Sequence, residues 1–106
     1  LLKFDIFRTM SGAKMSRRTP RAVEASLEDI GLHLQRWRKL NRKSIEQAAA
    51  QAGVSVSTLR RLEQGHGATL ENYLRVARVY QLLDRVADAV DPMEHDRGRA
   101  LIEQLI

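Results

Sequence analysis

The sequence predicts an all-α fold. Apolar residues recur at three- and four-residue intervals from Leu27 to Val90, the spacing of helix faces. The only prolines are Pro20 and Pro92, near the two ends of that stretch. Ser26, Ser44, Ser55 and Thr69 stand ahead of apolar runs, and Gly53 and Gly65 follow two of them, as helix caps and stops do. The organisation expected is an arm over 1–25, a helical domain over 26–80 and a helical extension over 81–106.

Within the arm, Leu2, Phe4 and Ile6 alternate with Lys3 and Asp5, the period of a short strand. A lone strand needs a partner edge. Met15 is a candidate natural start, because Leu1 is no initiator. Lys14, Arg17, Arg18 and Arg21 then make a basic run with no acid among them, which reads as a solvated tail before it reads as a minor-groove arm.

Ser26 is the expected cap of the first helix, with Asp29 at its third position. Leu27, Ile30, Gly31, Leu34, Trp37 and Asn41 lie on one stripe, with Arg38 at its edge and Arg36 and Lys39 outside. Trp37 and Tyr73 are expected in the core. Ser44 and Gln47 form a capping box for the second helix. Ile45, Ala48, Ala49 and Ala52 make its inner face, where three alanines permit close approach, and Gly53 stops it.

Ser55 caps the third helix, and Val54 and Leu59 are spaced as a hydrophobic staple. Leu59 and Leu62 point inward and Glu63 lies at their edge. The opposite face holds Ser57, Arg60, Arg61 and Gln64, with Val56 on the flank. Gly65 ends the helix and His66-Gly67-Ala68 forms a loop. Thr69 caps a fourth helix with Leu70, Tyr73, Leu74 and Ala77 inward. Leu82, Leu83, Val86, Ala87 and Val90 outline a fifth. Asp91-Pro92-Met93-Glu94 reads as a further helix start that places His95 in its first turn, and Leu101, Ile102, Leu105 and Ile106 supply apolar residues beyond it.

Charge is unevenly placed. The net +5 divides into +4 over residues 1–25, +4 over 26–80 and −3 over 81–106. A basic body suggests a polyanionic partner, and the acidic end a different one. No run approaches the roughly 18 apolar residues of a membrane span. The absence of cysteine excludes disulfides and thiolate metal sites and fits a cytoplasmic, reducing compartment.

Catalysis finds little support. His33, His66 and His95 are dispersed without metal-ligand spacing, so no metal and no cofactor is expected. Serines stand where caps are needed, and no nucleophile elbow or phosphate-binding glycine loop occurs. Few aromatic residues are available to stack on unpaired RNA bases.

Two helices joined through a glycine corner make a helix-turn-helix candidate, whose second helix enters the major groove of double-stranded DNA. The outward face Ser57, Arg60, Arg61 and Gln64 suits that task, because arginine pairs with guanine and glutamine with adenine in bidentate fashion. The helix starts at Ser44 and Ser55 offer backbone N–H groups to phosphates. The competing reading is a helical protein-interaction module without specific DNA readout.

The run from Ile30 to about Tyr80 resembles the helix-turn-helix of the phage-repressor and Cro family of transcriptional regulators. Leu34 and Arg38, Ser44, Ala49, Ala52-Gly53-Val54-Ser55, Thr58-Leu59, Leu62-Glu63, Gly65 and the stretch Thr69 to Arg78 carry the likeness. The resemblance implies a five-helix lambda-repressor-like domain, a homodimer and operator binding. By position it implies that Val56, Ser57 and Arg61 face base edges, with Arg60 on bases or backbone. It implies that Arg42, Lys43, Ser44, Ile45, Ser55, Thr58, Gln64 and His66 lie along the backbone. It also implies an Arg38–Glu63 ion pair. Ile45 stands where the family often has glutamine, and Ala48 where it usually has leucine. The loop Gly65 to Asn72 and the stretch Arg75 to Val86 resemble HipB-type antitoxins, which repress their own operon and bind a kinase-fold toxin.

Overall fold

The computed structural model describes residues 18–106. The strand-like Leu2, Phe4 and Ile6 and the basic Lys14 and Arg17 lie outside the described residues. Among the described residues the protein is all-helical: α1 (Arg21–Leu40), α2 (Ile45–Ala52), α3 (Val56–Glu63), α4 (Leu70–Val79), α5 (Leu83–Ala89), a 3₁₀ turn (Pro92–Glu94) and α6 (Asp96–Leu105).

α1 begins five residues before its expected cap. Pro20 stands at the start, and its carbonyl accepts from the N–H groups of Val23 and Glu24 at 2.9 and 3.1 Å. Nothing from Ala22 to Ala25 opposes helix, so the helix runs back to the proline. Ser26 is therefore an exposed residue of the second turn and caps nothing, and residues 21–25 are helix instead of arm.

The next three starts follow the sequence closely. Ser44 accepts from Gln47 N–H at 3.0 Å while the Gln47 side chain accepts from Ser44 N–H at 2.9 Å, completing the capping box. Ser55 accepts from Thr58 N–H at 3.0 Å, and Thr69 from Asn72 N–H at 3.1 Å. At the end of α2, Gly53 takes φ 72°. Its N–H bonds to Ala50 O and that of Val54 to Ala49 O, the double closure that a left-handed residue allows. α1 and α4 close in the same manner through Arg42 (φ 55°) and Gln81 (φ 61°), at a cost of about 1–2 kcal/mol each for the left-handed conformation.

The core is Leu34, Ala48, Ala49, Ala52, Leu59, Leu62, Val76, Ala77 and Tyr80. α2 packs against α3 and α4 through its three alanines, and α3 against α1. Val76, almost fully buried, belongs to this core although the apolar pattern of α4 pointed to Leu70 and Leu74. Leu70 opens α4 and is 69% exposed, on the rim of a cleft with Leu27, Ile30, Leu62, Ala68 and Tyr73. Leu74 is half-buried. Trp37 is 40% exposed instead of buried. It lies about 60° around α1 from the Leu34 seam, with its ring stacked on Tyr80 at 6.4 Å and 20°. Asn41 is also off the core; it ends α1 and donates to Trp37 O at 2.7 Å.

The C-terminal part differs from its expected form too. Asp91 caps only a single 3₁₀ turn, by accepting from Met93 N–H at 2.9 Å. His95 precedes α6 instead of lying in its first turn, and its Nε2 meets Ala89 O at 2.8 Å. No residue of α5, the 3₁₀ turn or α6 is buried.

Two features lock α1 onto α3. A Cβ at Gly31 would lie 2.4 Å from Leu62 O and 2.7 Å from Glu63 O, so the two backbones meet there without room for a methyl group. Two turns along, Arg38 Nε donates to Glu63 Oε2 at 2.8 Å and Nη2 to Oε1 at 3.0 Å. Both side chains are largely covered. Hydrogen bonding to Glu63 raises the Arg38 pKa above its ordinary value against the opposing pull of burial. The expected ion pair is therefore present.

Gly31→Ala is expected to destabilise the fold by about 2–3 kcal/mol through overpacking, measured as a shift of the urea midpoint. Glu63→Ala, which strands a buried guanidinium, should cost about 3–5 kcal/mol. The double replacement Arg38→Met with Glu63→Leu should recover most of that loss, because no uncompensated charge remains.

Candidate nucleic-acid interface

α3 has one face in the core and one in water. Leu59, Leu62 and Glu63 are buried, while Ser57, Arg60, Arg61 and Gln64 are exposed. This follows from the helical repeat: Ser57, Arg60, Arg61 and Gln64 share the side opposite Leu59 and Leu62. Neither Arg60 nor Arg61 makes an ion pair among the described residues, where the pairs are Arg38–Glu63, Glu71–Arg75 and Asp96–Arg99. Their guanidinium groups face solvent, with donors uncommitted to carboxylates.

The start of α3 is electrostatically different from every other helix start described. Glu24, Glu46, Glu71, Asp84, Glu94 and Asp96 stand in the first turns of α1, α2, α4, α5, the 3₁₀ turn and α6. α3 has no acid in its first turn. Acids there offset the partial positive charge of a helix N-terminus. At α3 that partial charge remains, together with N–H groups that have no intrahelical partner.

The positions expected along a phosphate backbone fall into different situations. Ser55 Oγ accepts from Thr58 N–H and donates to Thr58 Oγ1 at 2.9 Å, so both hydroxyls are engaged in the cap. Ser44 Oγ is likewise engaged with Gln47 N–H. An anion at these termini would meet backbone N–H groups before it met the serine hydroxyls. Glu46, exposed beside Ser44, opposes an anion at the start of α2. Arg42 is exposed in its left-handed turn, and Lys43 is half-buried with its carbonyl accepting from Arg38 Nη1 at 3.1 Å.

Beyond α3, His66 is exposed between Gly65 (φ 83°) and Gly67 (φ 89°). Gln64 is exposed at the end of α3. Ile45 is half-buried and lines an open cleft of about 280 Å³ with Gln35, Arg60, Gln64 and the Arg38–Glu63 pair. The structure thus brings Ile45, Arg60 and Gln64 to one cleft. Gln35, on α1, joins that cleft although the sequence reading passed over it. Its position one residue after the buried Leu34 placed it off the main stripe, so only the packing of α1 on α3 reveals it. Val56 is half-buried and packs against the core at the first position of α3.

Among the described residues, no group of three or more His, Cys, Asp or Glu is placed to hold a metal ion. No described helix is long and apolar enough to cross a membrane.

A family model described as a helix-turn-helix domain matches residues 29–90, which span α2, the Gly53 corner and α3. Neither a curated protein nor a solved structure matches the chain. The matched stretch covers more than half of the sequence and includes the α1–α3 lock and the exposed face of α3. The protein is a DNA-binding regulator, and its chain belongs to the helix-turn-helix domain family.

Proposed function

We propose that the protein is a sequence-specific repressor that binds an inverted-repeat operator as a homodimer. The observation that carries this reading is the start and outer face of α3. It is the one described helix without an acid in its first turn, and it exposes two unpaired arginines. A helix kept only for packing gains stability from an N-terminal acid, worth about 0.3–1 kcal/mol. A helix that enters a phosphate-lined groove loses affinity from the same acid.

In this mechanism α3 lies in the major groove with its N-terminus toward the bases. Ser57 and Arg61 reach base edges, and Arg60 reaches a base or the adjacent backbone. Arg42, Lys43, the N-terminus of α3, Gln64 and His66 follow the phosphates, and Ser44 and Ile45 stand beside them at the start of α2. Ser55 and Thr58 hold the start of α3 in place through the cap described above. The dimer sets two copies of α3 about 34 Å apart, one turn of duplex, and occupation of a promoter excludes polymerase.

A second partner is supported by the C-terminal part. Residues 81–106 carry a charge of −3, and α5 to α6 expose Leu83, Val90, Met93, Leu101 and Leu105. A basic DNA-reading body joined to an acidic segment with exposed apolar residues suits an autoregulating antitoxin that also holds a kinase-fold toxin. Pull-down of the product of a gene beside this one tests that reading, and a neighbour that does not bind the chain removes it.

Arg61→Ala should weaken binding to a footprinted operator by about 1–3 kcal/mol and relax preference at one base step in each half-site. The same footprint should show two inverted half-sites one turn apart. Protection of a single half-site would remove the dimer, and unchanged base preference would remove the role of Arg61.

Ser57→Glu should act in opposite directions on the two properties of α3. Thermal or urea unfolding should show stability unchanged or raised by up to about 1 kcal/mol, while DNA affinity measured at low salt falls. A parallel fall in both would show that Ser57 serves packing.

A further inference from the structure

Val56 is an apolar residue on the border of a polar face. It is the first residue of α3, follows the cap Ser55, and packs in part against the core that contains Leu59. The rest of it is open to solvent, because it is half-buried where Leu59 is fully buried. Arg60 lies one helical turn further along the same side, and Ser57 is its neighbour on the exposed face. A β-branched side chain in a helix keeps essentially one rotamer. The core contact leaves it still less freedom, so its uncovered part is a fixed apolar surface at the leading end of α3.

The major groove offers little that such a surface can use. Base edges there present hydrogen-bond donors and acceptors, with one apolar exception: the methyl group at C5 of thymine. A fixed apolar group beside any other edge removes water from polar atoms and returns no hydrogen bond. Against a C5-methyl group the same surface removes water from two apolar groups at once.

We propose that Val56 selects a pyrimidine bearing a C5-methyl group, with thymine as its source, at the position met by the first turn of α3. This rests on the reading that α3 enters the major groove, and it adds which chemical feature one residue recognises. The methyl of 5-methylcytosine occupies the same place in the groove, so the shared chemistry is the C5-methyl group, and the test separates the two bases.

A duplex pool randomised over about 20 base pairs, long enough for two half-sites, is selected on the full chain. Each thymine of the enriched sequence is then replaced singly by deoxyuridine, which deletes only the methyl group. At one thymine in each half-site the affinity should fall about three- to fivefold, the worth of one buried methyl. Cytosine and 5-methylcytosine are compared at that position, and the methylated base should bind more tightly by a similar factor. Thymine should bind at least as tightly as 5-methylcytosine; the reverse order overturns thymine as the source.

Val56→Ala should reduce the thymine-to-deoxyuridine ratio to near one, whereas Val56→Ile should preserve it. The ratio is taken within one protein, so a partly unfolded variant still reports it. A ratio unchanged in Val56→Ala overturns the assignment to Val56. Equal binding of thymine and deoxyuridine at every position, in a sequence that the pool did enrich, overturns the C5-methyl proposal and leaves the DNA reading standing. Failure of the pool to enrich any sequence overturns both.

Discussion

The placement of α3 depends on one close approach. At Gly31 the backbone of α1 comes against the carbonyls of Leu62 and Glu63, with no space for a Cβ. Helices usually pack 8–10 Å apart through their side chains, and this approach is possible because one side chain is missing. With the end of α3 held there, its other face is set toward solvent. A helix of eight residues is too short to be stable alone, so this contact and the core leucines supply what its length cannot.

The Arg38–Glu63 pair extends that lock to a third element. Arg38 gives Nε and Nη2 to Glu63 and Nη1 to Lys43 O, so one planar side chain joins α1, α3 and the turn before α2. The geometry requires arginine, because a lysine ammonium lacks the fork that spans both carboxylate oxygens while reaching a third acceptor. The turn it holds leads directly into Ser44. The start of α2 and the end of α3 are therefore fixed relative to each other from the side of α1. Burial of the pair adds cost as well as strength, and its value lies in the orientation it imposes on these elements.

The sequence made much of this legible because the relevant signals are local. Ser44 with Gln47, Ser55, Thr69 and Gly53 each announce a boundary by chemistry within a few residues. The inner face of α2 and the outer face of α3 follow from helical period alone. The errors arise where a boundary or a burial depends on distant chain. Ser26 has the chemistry of a cap, yet Pro20 starts the helix earlier and nothing between them interrupts it. Trp37 sits near the apolar stripe, and its ring stacks on Tyr80, yet two-fifths of the residue meets water. Arg42 and Gln81 close α1 and α4 in the left-handed conformation without the glycine that would have marked them.

In the proposed reading, the missing acid at α3 separates stability from function within one short helix. Every other described helix start carries an acid, so the chain uses that device freely. Arg60 and Arg61, in the last turn of α3, lie at the end where cations are favourable for a helix. The C-terminal half of α3 is thus arranged well for stability, and its N-terminal half is left with the partial positive charge of its own backbone. Both choices leave the exposed face without negative charge along its whole length. A packing helix gains from satisfying the first end as well as the second. A helix that must approach a polyanion gains more from leaving the first end open, because its peptide dipoles and its arginines then attract the same phosphates.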